Sequence, residues 1–216
     1  MAVSFDAPDV LHIFPTYLWR ADLKPAEFEP LNAGLLKTLE ALGAPPDLRP
    51  GHNWQSDHNL QDDPRLATLM DYVTAAAQSL LGYLKIDAPL AVTGCWANVN
   101  APGTAHRLHS HRNNFLSGVY YVQVQDQANS INFFDPRPQA GVIRPPASQP
   151  TAENTEAASV AVGNGTLLLF PAWLPHSVDP NRSRGNRISI SFNLMFREFT
   201  ERLARPSWAP GVGAPS

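Results

Sequence analysis

Cysteine is almost absent. Cys95 is the only one in 216 residues, so no disulfide can close within the chain and stability must come from a hydrophobic core. A single thiol fits a reducing compartment, and a cytoplasmic location is expected. No stretch reaches the ~18 consecutive apolar residues that a membrane helix needs. The opening residues, MAVSFDAPDVLHIF, also lack a basic stretch followed by a long apolar one. The expected protein is soluble and unprocessed. Charge is sparse as well: charged residues are 16% of the chain, the net charge is −3 and the pI is about 6.1. No basic excess marks a binder of nucleic acid or of an anionic membrane. The partner is therefore expected to be a small molecule or a peptide, with no nucleic acid and no membrane, and nothing in the composition opposes a homodimer. No repeat of fixed period occurs, and the only biased tracts are two Pro/Ala-rich segments.

Apolar residues make up 44% of the chain, enough for one domain with a full core. Residues 1–216 are expected to form that single domain, with 1–88 mainly helical support and loops, 89–200 a β-rich core and 201–216 a tail. Phe28, Leu31, Leu35, Leu36, Leu39 and Leu42 recur at three and four, which predicts a helix over 25–42 ending at Gly43. A second helix is predicted over 63–84, capped by Asp62 or Asp63, with Pro64 in its first turn and a stripe of Leu66, Leu69, Met70, Val73, Ala77, Leu80, Leu81 and Leu84. The Pro-rich stretch 44–51 between them reads as a loop. After Ala88 the texture changes to short β-rich runs: 90–99, 116–124, 130–134, 160–162, 166–170 and 187–196. Pro (21) and Gly (13) fall mostly between such runs. With no helical pattern separating them, the runs predict an α+β chain whose β core is an antiparallel sandwich or jelly roll. The polar stretch 136–158 reads as a long loop, and a loop of that length usually serves as a lid or a substrate-binding segment.

Three of the seven histidines stand in a pattern that chemistry explains. His109 and His111 are separated by one residue, so on an extended backbone both rings point to one face and can share a metal. An isolated pair of this kind is about as often structural. His176 lies in FPAWLPH, after the apolar run GTLLLF and a proline-stiffened turn. Eleven positions later, Arg187 and Ser189 share one face of an alternating strand. A guanidinium beside a hydroxyl suits a carboxylate. Ile188, Ile190 and Phe192 imply that this strand is buried on at least one face, although a surface ion pair would also account for the arginine.

The runs WANVNAPGTAHRLHSHRNNFLSGVYYV, INFFDPRP, GNGTLLLFPAWLPHSV and NRISISFN, in that order over 96–193, resemble the 2-oxoglutarate-dependent iron(II) oxygenases found as uncharacterised bacterial and phage proteins. The resemblance implies a double-stranded β-helix with flanking N-terminal helices, and an enzyme that uses Fe(II) and 2-oxoglutarate as co-substrate, with hydroxylation as the default outcome. It implies metal ligation by His109 and His176. It also implies a clamp on the distal carboxylate of 2-oxoglutarate by Arg187 and Ser189, assisted by Tyr121 and more weakly by Asn98. Trp96, Tyr121, Phe133, Phe170 and Trp173 would wall the site, though most have an ordinary core role open to them. His111 departs from the pattern, because that superfamily usually carries a carboxylate there. Three neutral imidazoles would leave the metal site one unit more positive, a set that also suits zinc, copper or nickel. If His111 turned away, a coordination position would stay open. Two rivals follow: a three-histidine cupin dioxygenase independent of 2-oxoglutarate, and a non-enzymatic metal- or ligand-binding β-sandwich. The cupin motif begins at Gly103 and His109-Ser110-His111, but the glutamate that should follow is missing from RNNFL. The Asp135-Pro136-Arg137 corner is a further place for substrate contact.

Overall fold

The computed structural model describes residues 6–7, 9–139, 142–143 and 146–203, with backbone alone for 201–203. The chain runs β1 (Trp19–Asp22), α1 (Pro25–Ala41), β2 (Asn53–Gln55), α2 (Ala67–Leu84), β3 (Leu90–Asn100), β4 (His106–His109), β5 (Leu116–Gln123), β6 (Ser130–Phe134), β7 (Ala157–Ala161), β8 (Thr166–Pro171), β9 (His176–Val178), β10 (Arg187–Phe196) and α3 (Arg197–Leu203). Helix α1 starts on Pro25, whose missing N–H costs nothing there, and stops before Gly43, which takes the left-handed φ of +92°. Asp63 does cap, but what it caps is a 3-10 turn, Pro64–Leu66, through a 2.9 Å bond from the Arg65 amide. The regular helix α2 begins only at Ala67.

The six longer β runs are strands with small shifts at their ends. Four short strands, β1, β2, β4 and β9, carry no alternation long enough to read from sequence. Two of them, β1 and β2, fall in the part expected to be helical support, and both join the main sheet. The stretch expected to be a loop to 158 gives up its last residues to β7, and α3 extends the chain beyond β10. Of the tail at 201–216, residues 204–216 lie outside the described residues. No helix among the described residues is long and apolar enough to cross a membrane.

Every ladder is antiparallel. The major sheet has the order β1-β8-β5-β10-β3-β2 and the minor sheet β4-β9-β6-β7, the two-sheet jelly roll of a double-stranded β-helix. The major sheet is buried on both faces, which explains why β5 and β8 are mostly apolar and buried almost end to end. Its outer face packs Ala97, Tyr120, Ile190 and Phe192 against Leu35, Leu39, Val73 and Leu80 of the helices. The inner face meets the minor sheet through Val119, Tyr121, Ile131, Phe133, Leu168 and Phe170. Gly118 makes room on the outer face: a Cβ there would run into the Phe192 ring and come within 2.8 Å of the Leu168 carbonyl. Between the sheets, toward β3, β10 and β4, the lining turns polar, and the functional side chains gather there.

Candidate metal centre and anion cradle

His109 is the last residue of β4 and His176 the first of β9, and the two are register partners in the minor sheet. Their ring centroids are 4.3 Å apart. His111 lies past the end of β4, in the turn before β5, with its amide tied to the Ala172 carbonyl at 2.8 Å. Its ring centroid is 5.1 Å from that of His109 and 5.3 Å from that of His176. One nitrogen of each ring lies within 4.8 Å of the others. The three rings converge, but a strand holds His109 and not His111, so an extended backbone is not what brings the pair together.

The second nitrogen of each ring is already used. His109 Nδ1 donates to the Arg107 carbonyl at 2.7 Å, His176 Nδ1 to the Leu174 carbonyl at 2.9 Å and His111 Nδ1 to Asn193 Oδ1 at 2.8 Å. A Nδ1–H that donates to oxygen leaves Nε2 with a free lone pair, the tautomer a metal ligand needs. Burial pulls the His176 pKa down to about 4 and lowers that of His111 as well, and His109 beside them works in the same direction. Both rings are therefore held neutral. Three donor nitrogens converging on one point fit a divalent first-row metal. His109 is exposed and His176 buried, so the centre sits at the mouth of the barrel.

Aromatic rings line the centre. Phe170 meets His176 edge-on at 4.8 Å, Phe133 packs on Phe170 at 4.9 Å, and Trp96 stacks over His111 at 5.8 Å with His58 on its outer side at 4.7 Å. Trp173 is 53% exposed instead of walled in. Asp135 and Arg137 pair with each other at 2.6 Å.

Deeper in the barrel, Arg187 is 2% exposed, and its Nε and Nη1 have no hydrogen-bond partner among the described residues. Its register partner on β3 is Asn100, whose Nδ2 is likewise buried without a partner. His106 donates from Nε2 to Asn100 Oδ1 at 3.1 Å, which turns that Nδ2 the other way. A one-residue slip between His106 and His109 in the β4–β9 ladder lets these two histidines, three apart, face the same interior. Tyr121 is buried close enough to Arg187 for the guanidinium to oppose the rise that burial gives its pKa, and Ser189 is buried between Tyr121 and Asn98 in the ladder. Asn98 is tied up at both ends, accepting from Gln55 at 2.9 Å and donating to Ser191 at 3.2 Å. The free amide donor is thus Asn100, two residues on, which no sequence signal singled out. His106, Asn193 and Ser117 were missed for the same reason: their value lies in partners far away in sequence.

Buried N–H groups are rarely left unpaired, so three such donors around one cation fit a carboxylate. The donor set suits an anionic co-substrate at one end of the site and a metal at the other.

Residues 94–193 match the family model described as "Putative 2OG-Fe(II) oxygenase". No curated protein matches the chain. Among solved structures, the chain is similar to SnoK, the non-heme alpha ketoglutarate dependent carbocyclase of nogalamycin biosynthesis, at 17% identity and TM-score 0.60, over 93% of this chain and 90% of that one. A prolyl-4-hydroxylase from Pseudomonas putida matches at 15% identity and TM-score 0.57, over 83% and 93%. HygX from Streptomyces hygroscopicus, solved with nickel and 2-oxoglutarate, matches at 15% and 0.55, over 83% of each chain. These likenesses place the fold among double-stranded β-helix proteins, and the match over 94–193 makes that part of the chain similar to the 2OG-Fe(II) oxygenases.

Proposed function

We propose that this protein is a 2-oxoglutarate-dependent iron(II) oxygenase that hydroxylates a C–H bond of its substrate, with His109, His111 and His176 holding the iron and Arg187 gripping the distal carboxylate of 2-oxoglutarate. Asn100, Tyr121 and Ser189 complete that grip. The observation that carries the reading is the set of orphaned donors, Arg187 Nε and Nη1 and Asn100 Nδ2. A buried cation with nothing to neutralise it costs several kcal/mol, and a dicarboxylic keto acid reaching in from the metal supplies the missing charge. A cupin dioxygenase has no use for such a cradle.

Bound iron supplies activation of dioxygen, coupled to oxidative decarboxylation of the keto acid. The residues of the chain orient and shield. Arg187 fixes one end of the co-substrate through a planar fork. The Nδ1 bonds of the three histidines keep Nε2 aimed inward, and Phe133, Phe170 and Trp96 keep water from part of the centre. The segment 136–156 is rooted beside His176, through the Phe134 amide on the Pro175 carbonyl at 2.9 Å and the Asp135 amide on the Glu156 carbonyl at 2.8 Å. Val142 and Ile143 on it are exposed, and in this reading the segment contacts a small-molecule or peptide substrate. The single buried thiol is consistent with a cytoplasmic location.

The test is an anaerobic titration of metal-free protein with iron(II) and then 2-oxoglutarate, followed through the visible charge-transfer band. Wild type is expected to bind one iron and then one keto acid. His109→Ala and His176→Ala are each expected to lose stoichiometric iron. Unchanged iron content in either variant, or wild type that never takes up 2-oxoglutarate once iron is in place, would overturn the reading.

A further inference from the structure

The three histidines are not held alike. His109 and His176 donate from Nδ1 to the backbone carbonyls of Arg107 and Leu174, each two residues away on its own segment. Any sequence at those two positions would provide the same acceptor. His111 has no such local support: it lies outside every strand, and its Nδ1 reaches across to Asn193 Oδ1 on β10, 82 residues on, at 2.8 Å. The same oxygen accepts from Ser117 Oγ on the adjoining strand β5, also at 2.8 Å, and Ser117 and Asn193 are register partners. The β10–β3 ladder slips by one residue directly after Asn193, and a bulge of this kind redirects the side chains beside it.

The geometry points to Asn193 as the positioning residue that makes His111 a metal ligand, with Ser117 holding its amide in the required sense. The inference rests on the proposed assignment of His111 as a ligand. An asparagine amide offers an oxygen on one side and an NH2 on the other. With Oδ1 toward the ring, Nδ1 carries the proton and Nε2 is free for metal. With the amide reversed, its NH2 would donate to Nδ1, the proton would sit on Nε2, and His111 would not ligate. The Ser117 hydroxyl donating to Oδ1 favours the first arrangement. In this way a position outside the strands, where the superfamily usually has a carboxylate that needs no tautomer, is made to serve with an imidazole.

The test measures cobalt(II) affinity of the metal-free protein by calorimetry, together with the visible d–d spectrum, for wild type, Asn193→Ala, Asn193→Asp, His111→Ala and the double variant His111→Ala/Asn193→Ala. Losing a residue that orients a ligand typically weakens metal binding by about 10- to 100-fold, and Asn193→Ala is expected to fall in that range with a spectrum moved toward that of His111→Ala. Asn193→Asp, which can only accept from the ring, should bind at least as tightly as wild type. In the His111→Ala background, Asn193→Ala should have no further effect, because the interaction it removes is already gone. A purely structural role would weaken binding equally in both backgrounds, and that result overturns the inference, as does wild-type affinity in Asn193→Ala. If His111→Ala binds cobalt as tightly as wild type, the assignment of His111 itself fails and takes the inference with it. If His111→Ala loses affinity while Asn193→Ala does not, only the inference fails. Thermal melting of each metal-free variant checks the fold. Should Asn193→Ala not fold, the decision passes to Asn193→Asp: wild-type or tighter binding that depends on His111 supports the role, and weaker binding overturns it.

Discussion

Arg187 and Asn100 face each other across the β10–β3 ladder with donors that no group among the described residues accepts. Burial lowers the arginine's pKa, and Tyr121 works against that fall, so the site stays a cation in wait of an anion. A charge-assisted hydrogen bond contributes about 1.5–3 kcal/mol, and 1.4 kcal/mol is about a factor of ten. Arg187→Met should therefore weaken 2-oxoglutarate binding to the iron-loaded protein by at least about tenfold. Arg187→Lys keeps the charge without the fork and should fall between. Asn100→Ala, which removes one neutral donor, should cost less, about fivefold by the same scale. Metal affinity in the absence of keto acid should hardly change in any of them, because neither residue is placed at the metal. Equal 2-oxoglutarate affinity in Arg187→Met and wild type would refute the cradle. At this scale the sequence showed the groups whose chemistry is unusual at their spacing, the three histidines and the arginine. It could not show Asn100, His106 or Asn193, because an amide has no signature until its partner across the barrel is known.

The helices are tied to the sheet by one buried polar link as well as by apolar packing. Asn32 of α1 donates from Nδ2 to the Val122 carbonyl at 2.7 Å, and its Oδ1 accepts from the Tyr120 hydroxyl at 2.7 Å. Both residues are buried. Tyr120→Phe removes the donor and leaves the amide oxygen without its partner, so a loss of about 1–3 kcal/mol is expected, read as a lower urea midpoint with unchanged slope. A midpoint equal to wild type would show that water reaches Asn32. The two helices and the long strands were legible because each carries one periodicity for long enough to register: α1 and α2 their three-and-four stripe, β5, β8 and β10 their sustained apolar or alternating runs. The short strands β1, β2, β4 and β9, of three or four residues, alternate too briefly, and the minor-sheet pair β4 and β9 is built around polar histidines. His109 and His176 were therefore singled out by residue type while the short strands β4 and β9 that carry them went unseen. The ladder slip between His106 and His109 is invisible for a related reason: a bulge follows from pairing with another strand, and the local sequence does not encode it.

Over the whole molecule, the site makes the metal-free protein acid-sensitive. Burial holds His106 and His176 at pKa values of about 4, with neighbouring charges adding to the effect: Arg187 and then His109 for His106, His109 and other histidines for His176. In the unfolded chain a histidine titrates near ~6.5. Between those values the unfolded chain takes up protons that the folded one refuses, so stability falls as the pH drops. The contribution is complete above pH ~6.5, declines between ~6.5 and ~4, and levels off below, where both states are protonated. Each such histidine can contribute up to ~1.4 kcal/mol per pH unit across that window. Two together reach a few kcal/mol, a large share of the ~5–15 kcal/mol by which domains are stable. The urea midpoint of the metal-free protein should accordingly be flat from pH 8 to ~6.5 and fall steeply toward pH ~4.5. His106 offers the cleaner variant, since it touches Asn100 and is not placed as a ligand. His106→Gln removes one titrating group and should make the acid limb shallower by up to half, whatever it does to the midpoint at pH 8. An acid limb of unchanged steepness in that variant would show that His106 does not resist protonation in the fold. Saturating metal should move the onset of the fall to lower pH, because ligation stabilises only the folded state and requires the unprotonated rings.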